Sequence, residues 1–158
     1  MCNPAAAMMA VTAVTTAYGQ QQQGRFQSRV AKNNAMTQER LAEDALDRGQ
    51  RAEEAHRLKV AQMKSAQKAK MSASGLDITT GAPSELISDT AMMGELDALT
   101  IRDNAEREAF GHGFAATNSL NQGALDRATA NNRATGTIMT AATEVGSQWY
   151  ASKSPLAA

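Results

Sequence analysis

The sequence predicts an all-α protein: an elongated antiparallel helical hairpin with a central loop at about residues 74–83, assembled into a larger helical oligomer. Three observations lead there. From Arg25 to Ser72 the chain contains no proline and one glycine, Gly49, amid Ala, Glu, Lys, Arg, Gln, Leu and Met, all strong helix formers. Residues 74–83, Ser-Gly-Leu-Asp-Ile-Thr-Thr-Gly-Ala-Pro, are the only breaker-rich interval in the middle of the chain. Folded back at Ile78, residues 41–114 pair by chemical kind.

In that pairing Leu46 falls opposite Phe110, Leu58 opposite Leu99, Val60 opposite Leu96, Met63 opposite Met93 and Leu41 opposite Phe114. Charges meet opposite charges in the same register. Lys70 faces Glu85, Lys68 Asp89, Lys59 Asp97, Glu54 Arg102, Arg51 Glu106 and Arg48 Glu108. The expected hairpin interface is therefore Leu46, Leu58, Val60, Met63, Met93, Leu96, Leu99 and Phe110. Small or apolar residues also recur at Ala42, Ala45, Gly49, Ala52, His56, Val60 and Met63, steps of three and four that trace one helix face.

The elements follow in order. Residues 1–24 carry no charged side chain, and Ala, Met and Val are diluted there by Thr12, Thr15, Thr16 and Gln20–Gln23. Without a basic start or an unbroken apolar run this segment is no secretory signal. Ala5 to Tyr18 is also short of the roughly 20 apolar residues of a membrane span. An amphiphilic helix that buries itself in protein or lipid fits better. Residues 25–72 form the long charged helix. Residues 73–83 are the loop, in which Gly75 is placed to end the helix in a left-handed conformation. Pro83 suits the first turn of the next helix, and Ser84, Glu85 and Asp89 complement its positive end. The second helix covers 84–110, and Gly111 and Gly113 predict a kink or break. Residues 111–151 are an Ala, Asn and Thr-rich helical arm, and 152–158 a tail stopped by Pro155.

Composition bounds the function. One Trp, two Tyr and three Phe in 158 residues are little material for a compact core, whereas a large apolar side chain contributes roughly 1.5–3 kcal/mol only when fully buried. A lone hairpin buries one stripe per helix, so partner subunits are expected on the other faces. The net charge is zero, but residues 25–70 hold eleven basic and six acidic side chains and 71–110 hold two and eight. Oppositely charged arms favour pairing with each other over nucleic-acid binding, which wants an uncompensated basic face. The run Arg57, Lys59, Lys64, Lys68 and Lys70 is the feature that would touch phosphate if one did.

Catalytic and metal chemistry is not indicated. Cys2 is the sole cysteine, which excludes an intramolecular disulfide. His56 and His112 lack further ligands at motif spacing. Glu39, Glu43, Asp44 and Asp47 interleave with Arg40, Arg48 and Arg51 as a salt-bridged face rather than a carboxylate cluster. Gly111-His112-Gly113 lacks the strand and third glycine of a dinucleotide fingerprint, and no phosphate loop, nucleophile elbow or H-E-x-x-H is present. We expect no catalytic residues, no cofactor and no small-molecule substrate.

The segment 73–111, Ala-Ser-Gly-Leu-Asp-Ile-Thr-Thr-Gly-Ala-Pro-Ser-Glu-Leu-Ile-Ser-Asp-Thr-Ala-Met-Met-Gly-Glu-Leu-Asp-Ala-Leu-Thr-Ile-Arg-Asp-Asn-Ala-Glu-Arg-Glu-Ala-Phe-Gly, resembles a loop and helix of the small internal virion proteins of short-tailed phages. The Met1-Cys2 opening, its Ala-rich helix and the Gln and Ala-rich arm that follows are similar to that family as well. The resemblance implies a protein packaged near the portal that leaves the head with the DNA and joins a conduit for the genome in the host envelope. It implies as partners further copies of the chain, other core, portal or tail proteins, the host membrane and the transiting DNA. For such a role the candidate membrane or oligomer surface is Ala6, Ala10, Val11, Val14, Ile138, Trp149 and Tyr150, with the two aromatics suited to a lipid interface. Small residues four apart, Ala6 and Ala10, Ala13 and Ala17, Ala142 and Gly146, have the spacing of close helix approach. The alternatives are a static head-to-tail or tail accessory subunit packed on portal or nozzle, and a helical nucleic-acid-binding protein.

Overall fold

The computed structural model describes residues 4–153, with side chains described over 7–151. Cys2 and the tail beyond Lys153 lie outside the described residues. Two helices account for nearly all of the rest: α1, Pro4–Ala73, and α2, Ala82–Lys153, packed against each other as a helical hairpin. Among the described residues there is no strand. The helices are longer than the sequence reading divides them. No boundary occurs at 24/25 in α1 or at 110/111 in α2, and α2 starts at Ala82, so the loop is 74–81. Gly111 and Gly113 are helical, and an isolated glycine costs a helix only about 1 kcal/mol, which the flanking helix formers absorb.

The loop is closed by backbone chemistry. Leu76 N–H donates to Met71 O and Gly75 N–H to Ser72 O, a Schellman ending made possible by Gly75 at φ 75°. Asp77 then organises the turn: its Oδ1 accepts from Thr79 N–H at 2.9 Å and from the Thr79 hydroxyl, and its Oδ2 accepts from the Thr80 hydroxyl. Gly81, at φ 67°, presents the carbonyl that receives the N–H groups of Ser84 and Glu85 as α2 begins.

The chain divides into two compact units. The unit of residues 37–115 holds the loop and the flanking parts of both helices. The buried members of its seam are small side chains and one Ile. Ala45, Ala98, Ala109 and Ile87 are buried there, together with Gly49 and Gly94. Gly49 lies against Ala105, and Gly94 against Val60, so closely that a Cβ on either glycine would collide with its neighbour. Both pairs have residue numbers adding to 154. The hairpin therefore folds about Asp77, one residue before the centre that the chemical palindrome suggests.

The second unit pairs residues up to Met36 with those from Ala116 onward. Ala17, Ala35, Ala116, Ala130 and Ala134 are buried in it. Gly24 packs on Ala130 and Gly123 on Ala31, again adding to 154. Along α1 the seam positions here repeat every seven residues, Ala17, Gly24 and Ala31 alternating with Gln21, Ser28 and Ala35. In the loop-bearing unit they continue as Gly49, Glu53, His56 and Val60, then Lys64, Gln67 and Met71, a repeat of eleven. A seven-residue repeat drifts one way around a straight helix and an eleven-residue repeat drifts the other. Each keeps its own stretch of α1 facing α2.

Candidate interaction surfaces

A seam whose buried members are mostly Ala and Gly brings the helices close, and the larger side chains along it on α1, Glu53, His56, Val60, Lys64, Gln67 and Met71, are only half-buried. Of the expected hairpin interface only Val60 lies in the seam, where it touches Gly94. Leu46, Leu58, Met63, Met93, Leu96, Leu99 and Phe110 are exposed, Phe110 by 77%. Size misled the assignment: interhelical spacing follows the side chains at the contact line, and the line runs through the small-residue stripe. That stripe, Ala42, Ala45, Gly49, His56 and Val60, is half-buried or buried as traced, whereas Ala52 and Met63 are exposed.

The ionic pairing is also redrawn. Arg48 does reach Glu108, at 2.8 Å, and also holds Asp44 one turn away. The two carboxylates, Glu108 first, raise the Arg48 pKa above its ordinary value. Arg57 bridges Glu53 at 3.0 Å and Glu95 of the facing helix at 2.7 Å. Arg102, however, pairs with Glu106, and Arg107 with Asp103, each within one turn of α2. Asp97 is approached at 3.9 Å by His56 instead of Lys59. Long side chains at i and i+4 meet without spanning the seam, so several expected crossings are replaced by pairs within one helix. Around this cluster a polar groove of about 480 Å³ is lined by Leu46, Gln50, Glu53, Glu54, Arg57 and Arg102, among others.

The histidines do not converge. His112 Nδ1 and Gln38 Oε1 are 2.8 Å apart, while His56 Nε2 has no hydrogen-bond partner. Among the described residues no three His, Cys, Asp or Glu side chains gather as metal ligands would.

In the unit formed by the two chain ends, the expected terminal surface is present as exposed side chains but not as one patch. Val11, Val14, Ile138, Trp149 and Tyr150 are each about half exposed or more, and Ala10 is exposed. The Ala6 side chain lies outside the described residues. Helical periodicity of 100° per residue sets Val11 on the side of α1 away from the seam, whereas Val14 flanks the seam on α1 and Ile138 and Trp149 flank it on α2. The Trp149 and Tyr150 rings meet edge to face at 5.1 Å. A different set makes the concave feature here: Met8, Met9, Thr12, Ala13 and Thr16 with Thr137, Thr140, Ala141 and Glu144 line an open groove of about 580 Å³. Gln148 donates to Met9 Sδ beside it.

The threonines of these segments satisfy themselves. Thr12 and Thr15 donate to the carbonyls of Met8 and Val11, and Thr137 and Thr143 to those of Arg133 and Met139. Such back-bonding leaves each methyl group outward and removes the cost of an unpaired hydroxyl on packing. Even so, among the described residues no helix is long and apolar enough to cross a membrane.

The sequence reading missed a regular feature of α2. Met92, Leu96, Leu99, Phe110 and Phe114 are all exposed. At 100° per residue they lie in one stripe on the side of α2 turned away from α1. Their signal was the spacing 92, 96, 99, 103, 107, 110 and 114, in steps of three and four, interrupted only by the paired Asp103 and Arg107.

No protein-family model matches the chain, and neither does any curated protein or any solved structure.

Proposed function

We propose that this chain is an internal virion protein of a short-tailed phage, released with the genome and assembled with its own copies and other virion proteins into a helical conduit across the host envelope. The observation that carries the reading is the division of labour between side chains: Ala and Gly hold the two helices together, while Leu, Met, Phe, Tyr and Trp face outward. A soluble monomer leaves scattered apolar groups exposed, but a row at helical spacing along the outer side of α2 suits a subunit made to be packed against others. The resemblance of residues 73–111 supplies the biological setting. Its action is assembly rather than catalysis, and the terminal groove with its Met and Thr lining is the surface that meets a neighbouring subunit or the lipid interface.

The test is the position of the protein in intact and emptied particles, at a resolution that shows helices. Loss of the protein together with the genome supports ejection. Retention in emptied particles overturns ejection and favours a static subunit on the portal or nozzle.

A further inference from the structure

We infer that the outward stripe of α2 is a self-complementary interface, through which two copies of the chain pair antiparallel about a two-fold axis near residue 105. The inference gives a face to the self-association proposed above, and it rests on that reading only for the existence of self-association.

The stripe lies wholly within the loop-bearing unit. It presents Met92, Leu96 and Leu99 on one side of a polar centre and Phe110 and Phe114 on the other. Asp103 and Arg107 form that centre. They are exposed by 55% and 76% and paired to each other across one turn. On a two-fold axis near residue 105, α2 of one copy runs against α2 of the next in a register where residue numbers add to about 210. Leu96 then meets Phe114 of the partner subunit, and Leu99 meets Phe110 of the partner subunit. At the centre Asp103 meets Arg107 of the partner subunit, and the exchange occurs twice.

The i, i+4 ion pair of the monomer thus becomes two intermolecular attractions. A two-fold interface requires this property, since one patch must complement itself. The alternative register, with numbers adding to 206, would set Asp103 against Asp103 of the partner subunit, and like-charge contact selects against it. The apolar ends supply the drive. Five large side chains that the monomer leaves in water are covered, against a seam whose buried members are Ala and Gly with one Ile.

The experiment uses the full chain and reads mass by sedimentation equilibrium and helicity by circular dichroism. The wild-type protein is expected to be a dimer, or a larger assembly built from dimers. The double variant Leu96→Glu/Phe110→Glu is expected to be monomeric with unchanged helicity, because both positions are exposed within one chain. Asp103→Arg and Arg107→Asp each place like charges at the centre and are expected to weaken pairing roughly tenfold. Mixed in equal amounts, these two variants regain opposite charges across the axis and recover wild-type affinity. Repulsion confined to one helix would not be relieved by mixing. A wild-type chain monomeric at 100 µM or so overturns the inference. So does self-association that survives Leu96→Glu/Phe110→Glu, or a mixture no tighter than its components. These results bear on this face alone, whereas the particle experiment bears on the function.

Discussion

Replacing Gly94 with Ala should destabilise the hairpin, although the same change at Gly111 should stabilise it. In an exposed helix interior Ala is favoured over Gly by about 1 kcal/mol. Nothing lies within 4 Å of a Cβ at Gly111, so that gain is realised in full. A Cβ at Gly94 instead meets Val60 Cγ1 at 2.5 Å, Cγ2 at 2.7 Å and Cβ at 3.1 Å. Rotation about χ1 cannot clear all three, because Val60 Cβ does not move with it. The helices must part locally, and overpacking of this kind costs about 1–3 kcal/mol. The net effect of Gly94→Ala lies between neutral and a loss of about 2 kcal/mol.

Val60→Ala provides the control. Alone it removes two half-buried methyl groups, a loss of about 1 kcal/mol from the roughly 0.8 kcal/mol per buried carbon. Combined with Gly94→Ala it removes the collision and leaves Ala facing Ala, as elsewhere in the seam. The double-mutant cycle should then show a favourable coupling of about 1 kcal/mol or more. Urea or thermal unfolding followed at 222 nm, at one protein concentration for all variants, measures each term. If Gly94→Ala stabilises as much as Gly111→Ala and the cycle shows no coupling, the close approach at Gly94 is refuted, and with it the register about Asp77.

Two further outcomes are expected of the loop. Gly75→Ala forces a side chain into φ 75° and should lower stability by about 1 kcal/mol or more, without change in helicity below the transition. Hydrogen bonds from the Thr79 hydroxyl and N–H, and then from Thr80, hold the Asp77 carboxyl below its ordinary pKa. A depressed folded pKa means that the carboxylate stabilises the turn above the unfolded value. That contribution fades as pH falls through the folded one. Carbon-13 NMR titration of Asp77 should place it below the ordinary aspartate value, and Thr79→Ala should move it back up. A titration of Asp77 unaffected by Thr79→Ala would contradict the turn geometry.

Much of the architecture is written in particular residues. The absence of proline from Arg25 to Ser72 and the cluster Gly75, Gly81 and Pro83 determine two helices and one reversal, because these are local conformational preferences that neighbours rarely override. The stripe Ala42, Ala45, Gly49, His56 and Val60 marked the contact line, since helical periodicity depends only on spacing. The exact register did not follow from it. The chemical palindrome centred on Ile78 was sustained by pairs such as Leu58 with Leu99, both exposed, and Lys59 with Asp97, which His56 approaches instead. Patterns on the outer faces carry the same symmetry as the seam, because both helices share one fold axis, so they report the axis without making the contact.

What the tertiary structure decided is which symmetric pattern became the interface. Ala and Gly allow the backbones to approach until Gly94 meets Val60 and Gly49 meets Ala105. At that separation no Leu or Phe is buried between the helices among the described residues, and Met71 is only half-buried. The sequence by itself determined a helical hairpin with oppositely charged arms and an uncharged N-terminal end. Only the packed structure turned Leu96, Leu99, Phe110 and Phe114 outward, because an interhelical spacing is set by the smallest residues that share a line, and the larger ones must find their partners elsewhere.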